Sequence, residues 1–167
     1  VNTTRYDTTK HLATPVISDA KVGLQQISEA LGDWKAPDPW YQRAIKERDK
    51  WEAYVEKQSG PTNQEEPSYA HAVGAIYRNS DPSDIVVTAA GGLVGEVVQV
   101  WKPKQLNTFE TEWGFSCMGY EISGALGIKM AKPDQDVVVF VGDGSYLLNN
   151  SDLSLIHISE PTRQSKI

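Results

Sequence analysis

The stretch Asp136-Val137-Val138-Val139-Phe140-Val141-Gly142-Asp143-Gly144-Ser145 joins a β-branched apolar run to a turn of two glycines around an acid. A run with no polar face reads as a strand covered on both sides, the kind found inside a parallel sheet. Ile85-Val86-Val87-Thr88-Ala89 repeats the pattern, and Gly91-Gly92 sits at its C-terminal end. Between the two runs a short helix is expected from Gly95 to Trp101, then a polar connection to Glu112. A longer helix should follow over Trp113 to Lys129, with its first turn near Phe115 or Ser116. Helix, strand, loop, helix, strand, loop implies a right-handed parallel α/β sheet with flanking helices.

Working outward, Tyr69 to Arg78 reads as a helix that buries Ala70, Val73, Ala75, Ile76 and Tyr77. Gln58 to Ser68 has the polar, Gly- and Pro-bearing composition of a linker, so a second domain should begin near its end. Trp40 to Lys57 reads as a charged surface helix with a narrow apolar stripe, behind the breaker cluster Trp34 to Pro39. Ala13 to Ile17 is a short apolar run. Ser18-Asp19 offers an N-cap, and Val22, Leu24, Ile27 and Leu31 recur at helical spacing until Gly32 closes the segment. In the later helix, Gly119, Ser123, Gly124 and Gly127 form a small-residue stripe, which calls for a close-packed neighbour.

The 167 residues are 40% hydrophobic and 23% charged, which fits a globular chain and excludes a disordered tail, a collagen or a coiled-coil rod. A net charge of -6 and the lack of a basic run argue against nucleic acid as a partner. No stretch has the roughly 20 apolar residues of a membrane span, and Val-Asn-Thr-Thr-Arg does not resemble a signal peptide; a soluble cytoplasmic protein is expected. Cys117 is the single cysteine, so no internal disulfide framework can form. The chain begins without Met, which suggests a fragment. Leu153 to Arg163 resembles the conceptual translation of a sequencing adapter, and 153–167 is set apart from the fold and function reading.

Ligands of open parallel sheets bind beyond the carboxyl ends of the strands, where both glycine clusters fall. In Gly142-Asp143-Gly144-Ser145 the glycines let backbone N–H groups approach an anion, the next helix start favours negative charge, and Asp143 offers a hard oxygen ligand. Magnesium bridging a diphosphate to a carboxylate suits that arrangement. Alone, Gly-Asp-Gly after a strand is also what a plain strand-to-helix turn uses.

The upstream string Glu112-Trp-Gly-Phe-Ser-Cys-Met118-Gly119-Tyr-Glu-Ile-Ser-Gly-Ala-Leu-Gly127 adds context. Gly114-x-x-x-Met118-Gly119, a small-residue helix, a strand and Gly-Asp-Gly-Ser together resemble the diphosphate domain of thiamine-diphosphate enzymes of the acetolactate synthase type. Within that superfamily the string is similar to the cyclic-dione hydrolases of bacterial inositol catabolism, as are Asp19-Ala-Lys, Tyr69-Ala-His-Ala-Val-Gly and Val87-Thr-Ala-Ala-Gly-Gly-Leu. The resemblance implies a middle-domain end over residues 1–33, a helical linker over 34–68 and the N-terminal half of the cofactor domain over 69–152.

It also implies thiamine diphosphate and Mg2+ as cofactors, with Asp143 as the metal ligand. Gly142, Gly144 and Ser145 would contact the diphosphate, as would Gly91 and Gly92, although Gly-Gly-Leu-Val departs from the Gly-Ser-Leu-Pro of the family. Met118 corresponds to the residue that wedges under the cofactor and holds it bent, so that the cofactor supplies the carbanion chemistry. The glutamate that activates the cofactor and the second metal ligand, an asparagine, would lie outside this chain, so no catalytic residue is assigned within it. The implied reaction is hydrolysis of a carbon–carbon bond in a trihydroxycyclohexanedione to a deoxyglucuronate, by a dimer or larger homo-oligomer. An acetolactate synthase-like lyase or decarboxylase is one alternative; a noncatalytic nucleotide- or diphosphate-binding module is another.

Other residues read as bystanders. Asn149-Asn150 reads as polar positions on the helix after Ser145, Cys117 as a packed inert thiol, and His11 and His71 as surface or helix residues. Glu112 is a candidate to face substrate or else a solvated charge, and Trp34, Trp40 and Trp51 read as packing residues of the linker.

Overall fold

The computed structural model describes residues 1–5, 8 and 10–163, those from 155 onward by backbone alone. Most of the adapter-like ending therefore lies outside the described side chains. Two compact units divide the chain after Arg48. In the first, Asn2 and Ile17 form a parallel bridge, and α1 (Ala20–Leu31) starts where the Asp19 carboxylate accepts the Lys21 and Val22 N–H groups. Gly32, at φ +52°, ends it as the sequence predicts.

The helix α2 (Asp38–Ser59) crosses the division in sequence. The second unit continues with α3 (Tyr69–Asn79), β1 (Ile85–Thr88), α4 (Gly92–Val100), β2 (Phe109–Thr111), α5 (Tyr120–Ala131), β3 (Val137–Val139) and α6 (Asp143–Arg163). The strands are parallel in the order β2-β1-β3, with Val86 opposite Phe109 on one side and Val138 on the other. The connection from β1 to β2 and the return from β2 across β1 to β3 run in opposite directions. With right-handed crossovers, α4 and α5 then cover opposite faces.

Packing agrees with that topology: α4 lies against α3, and α5 against α6, β1 and β3. On the α3–α4 face, Val86 and Phe140 join Val73, Val97, Val100 and Trp101 in the core. Trp101 meets Tyr77 and Phe140 edge-on at centroid distances of 5.3 and 5.7 Å. On the other face Ile122 and Ala125 of α5 border a groove shared with Val137, Val139 and Val141. The central strand β1 is buried at all four residues, as its apolar run predicts, whereas β3, expected to be covered on both sides, is half-exposed at the sheet edge, with Val139 open to the groove.

Ser68 caps α3. Its hydroxyl takes the His71 N–H at 3.4 Å, while the His71 Nδ1 accepts the Ser68 N–H at 3.2 Å. His71 is thus a helix residue with a capping task. Ser68→Ala should cost about 1 kcal/mol, measured as a lower midpoint in thermal or urea unfolding; an unchanged midpoint would show that the cap is idle.

Several expectations need correction. The first glycine pair does not lie in a loop before a helix at Gly95: α4 begins at Gly92, with Gly91 as its N-cap at φ +87°. The polar connection to Glu112 contains β2, a half-exposed edge strand. The helix expected from Trp113 starts only at Tyr120, because Ser116 (φ +55°) and Gly119 (φ +94°) are not helical. As expected, the Gly142-Asp143-Gly144-Ser145 turn runs straight into a helix, α6 beginning at Asp143. The small-residue stripe meets a close-packed neighbour at its start, where a Cβ on Gly119 would fall 2.7 Å from Asn149 Nδ2 of α6; farther along, a Cβ at Gly124 would meet the Tyr120 ring of its own helix, and one at Gly127 would meet nothing within 4 Å. Trp34, Trp40 and Trp51 are exposed, Trp51 stacking on Tyr54 at 5.6 Å.

Candidate functional site

The strands β1 and β3 are neighbours whose following helices leave toward opposite faces. The space beyond their C-terminal ends is therefore the switch point at which open α/β sheets hold ligands. A cleft of about 540 Å³ opens there. Gly91 and Gly92 line it from the β1 side, Gly142, Asp143, Gly144 and Ser145 from the β3 side, and Met118 from the loop before α5. All seven residues singled out in the sequence thus meet in one cleft. Tyr69, Ala90, Leu93 and Val141 complete the lining. Tyr69, the first residue of α3, is not among the candidate site residues, because nothing local in the sequence shows that this helix start faces the same crevice.

Two helices, α4 and α6, begin at the cleft, and each presents backbone N–H groups that its own hydrogen bonds do not use. At α4 the N-cap is a glycine with no side-chain cap. An ideal Cβ on Gly91, Gly92 or Gly142 would meet nothing within 4 Å, so the backbone there is bare toward the open space. At α6, Asp143 Oδ1 accepts the Gly144 N–H at 2.8 Å and the side chain is exposed; Ser145 is buried. A Cβ on Gly144 would stand 3.1 Å from Met118 Cε, so the methionine lies directly over the turn.

Among the described residues the lining contains no Lys and no Arg, and its one carboxylic acid is Asp143. An anion seated here would meet helix N-termini and a carboxylate, with no side-chain cation. A divalent ion between the acid and the anion resolves that mismatch, because both supply hard oxygen ligands. Among the described residues no group of three or more His, Cys, Asp or Glu could hold a metal, so Asp143 would need ligand oxygens from the bound anion, the backbone or water.

Glu112 does not face the cleft. Its carboxylate turns onto its own loop, Oε2 accepting the Cys117 N–H at 2.7 Å and Oε1 the Phe115 N–H at 3.0 Å. These N–H groups, Cys117 first, hold the Glu112 carboxyl below its ordinary value. Cys117 is exposed rather than packed, and its thiol is pushed up by hydrogen bonding to Glu112, then by burial, then by the Glu112 charge. A raised thiol carries less thiolate at pH 8. Glu112→Gln should therefore speed alkylation of Cys117 several-fold at that pH, and the single cysteine makes the rate unambiguous. An unchanged rate would break the pairing.

Asn149 does more than occupy a polar helix position. It interrupts α6 at φ -131° and donates from Nδ2 to the Gly119 carbonyl at 3.2 Å, tying α6 to the start of α5.

With this geometry in place, residues 89–159 match a protein-family model described as the C-terminal TPP binding domain of thiamine pyrophosphate enzymes. The chain is similar, over 92% of its length, to proteins named 3D-(3,5/4)-trihydroxycyclohexane-1,2-dione hydrolase. Identity is 34% to the one from Geobacillus thermodenitrificans, 31% to that of Lacticaseibacillus casei and 34% to that of Clostridium tetani. The chain spans 27–28% of the length of these relatives. No helix among the described residues is long and apolar enough to cross a membrane.

Proposed function

We propose that this chain is a segment of a thiamine pyrophosphate enzyme of the trihydroxycyclohexanedione hydrolase kind, and that the cleft at the switch point holds the cofactor's diphosphate through Mg2+. The observation that carries the reading is the composition of the cleft: bare glycine backbone at two helix starts and, among the described residues, one carboxylate and no side-chain cation. In it the N–H groups at the starts of α4 and α6 hold phosphate oxygens, and Asp143 holds the metal. Met118, half-exposed over Gly144, supports the rings of the cofactor. Gly142 and Ser145 shape the turn.

The bound cofactor supplies carbanion chemistry at its thiazolium ring. This chain contributes orientation and charge balance: it fixes the pyrophosphate end and keeps Asp143 toward the ion. The reaction we propose is hydrolysis of one ring carbon–carbon bond of trihydroxycyclohexane-1,2-dione to an open-chain deoxyglucuronate, within a cytoplasmic homo-oligomer. The open apolar groove beside β3 and the relatives' greater length support a polypeptide that continues the sheet. The segments 1–33, 34–68 and 69–152 would then be a middle-domain end, a linker and half of the cofactor domain, with 153–167 an appended sequence.

Calorimetric titration of the full-length protein tests the cofactor assignment. Thiamine diphosphate should bind with Mg2+ and lose its affinity with EDTA, while ATP and NAD do not compete. Binding of ATP or NAD equal to that of thiamine diphosphate would defeat the reading in favour of a general diphosphate module. Consumption of the cyclic dione by the loaded protein, against none of pyruvate, tests the reaction.

A further inference from the structure

Glu121 is the largest fully buried side chain among the described residues, at 0% exposure. A carboxylate there requires full hydrogen bonding, since burying it without partners is costly. Its Oε1 accepts the Ala90 N–H at 3.2 Å, and its Oε2 accepts the Gly119 N–H at 3.0 Å. The first bond spans 31 residues of sequence and reaches the end of β1. The second turns back on the N-cap of its own helix. Ala90 immediately precedes Gly91-Gly92, and Gly119 immediately follows Met118. One buried side chain therefore ties together the two backbone segments that present these residues to the cleft, without lining the cleft itself.

We infer that Glu121 is a positioning residue: a buried carboxylate clamp that sets the spacing between the Gly91–Gly92 turn and Met118. An ordinary acid in a first helical turn acts through the helix dipole and stays exposed. Glu121 is instead enclosed and bonded outside its helix. The role demands two acceptor atoms on one rigid group. An aspartate is a methylene too short to reach both donors, and a glutamine turns one acceptor into a donor that opposes an N–H. The clamp is held by the fold whatever the cleft binds; its effect on thiamine diphosphate rests on the function proposed above.

Glu121→Gln in the full-length protein tests it with two readouts, hydrogen exchange resolved to the Ala90 and Gly119 amides and titration with thiamine diphosphate and Mg2+. The expected result is exchange about ten-fold faster at those two amides, the scale of one lost bond to a charged group. Exchange over 85–88 should be unchanged. Cofactor affinity should fall by a similar factor, while the KM for the dione at saturating cofactor stays as in the wild type. Unchanged exchange overturns the clamp, and faster exchange with wild-type cofactor affinity overturns its positioning role. Faster exchange in a protein that never binds thiamine diphosphate defeats the cofactor reading and leaves the clamp standing. Should the variant not fold, the wild type decides: Ala90 and Gly119 amides as exposed to exchange as those of the 101–107 connection would overturn the inference.

Discussion

If the cleft holds the cofactor as proposed, Asp143→Ala in the full-length protein should lower the affinity for thiamine diphosphate by about 100-fold or more, and a ten-fold rise in Mg2+ should not restore it. The magnitude follows from the place of the side chain. Residues that merely orient a metal ligand cost roughly 10–100-fold when removed, and Asp143 is the only carboxylic acid among the described residues that line the cleft. The same substitution should leave the fold intact. Asp143 is exposed, and its hydrogen bond is local, accepted from the Gly144 N–H. Losing an acid from a first helical turn costs on the order of 0.3–1 kcal/mol. Asp143→Asn keeps one neutral oxygen and should fall between the two in calorimetry. Wild-type, Mg2+-dependent affinity in the alanine variant, with an unchanged unfolding midpoint, would remove Asp143 from the metal site.

The cleft was legible in the sequence because its parts are local. Each glycine turn follows directly on a strand that announces itself by lacking a polar face, and parallel topology carries both turns to one edge of the sheet. What escaped depends on distant partners. Phe109–Thr111 becomes a strand through its register with Val86–Thr88, and its alternation over three residues is too short to read. The late start of α5 also has a partner as its cause: the Glu112 carboxylate captures the Phe115 and Cys117 N–H groups, which holds 113–119 out of the helix. Glu121 looks in sequence like any acid near a helix start. Only the packing of α5 on β1 reveals that it is buried against Ala90.

The small residues of the chain are not equivalent, and one of them yields the largest stability change. Gly74→Ala should destabilise the protein by about 2–4 kcal/mol. An ideal Cβ at this buried position of α3 would fall inside the contact distance of the Ser59 carbonyl oxygen, at the end of α2, and 2.9 Å from Ser59 Cβ. The atom in the way is backbone, so the last turn of α2 must move. That turn is held by Arg78 Nη1, which donates to the Ser59 carbonyl at 2.7 Å, and by Val55, which enters the core beside Ala70 and Val73. Shifting it strains or breaks the charged hydrogen bond and loosens Val55. These losses exceed the gain of up to about 1 kcal/mol that alanine brings to a helix interior. Gly127→Ala in α5 is the opposite case: its Cβ would meet nothing within 4 Å, so only the helix preference acts, and the protein should become more stable by about 0.5–1 kcal/mol. Urea unfolding of both variants separates crowding from propensity. A Gly74→Ala midpoint at or above that of the wild type would mean that α2 and α3 do not cross as closely as described.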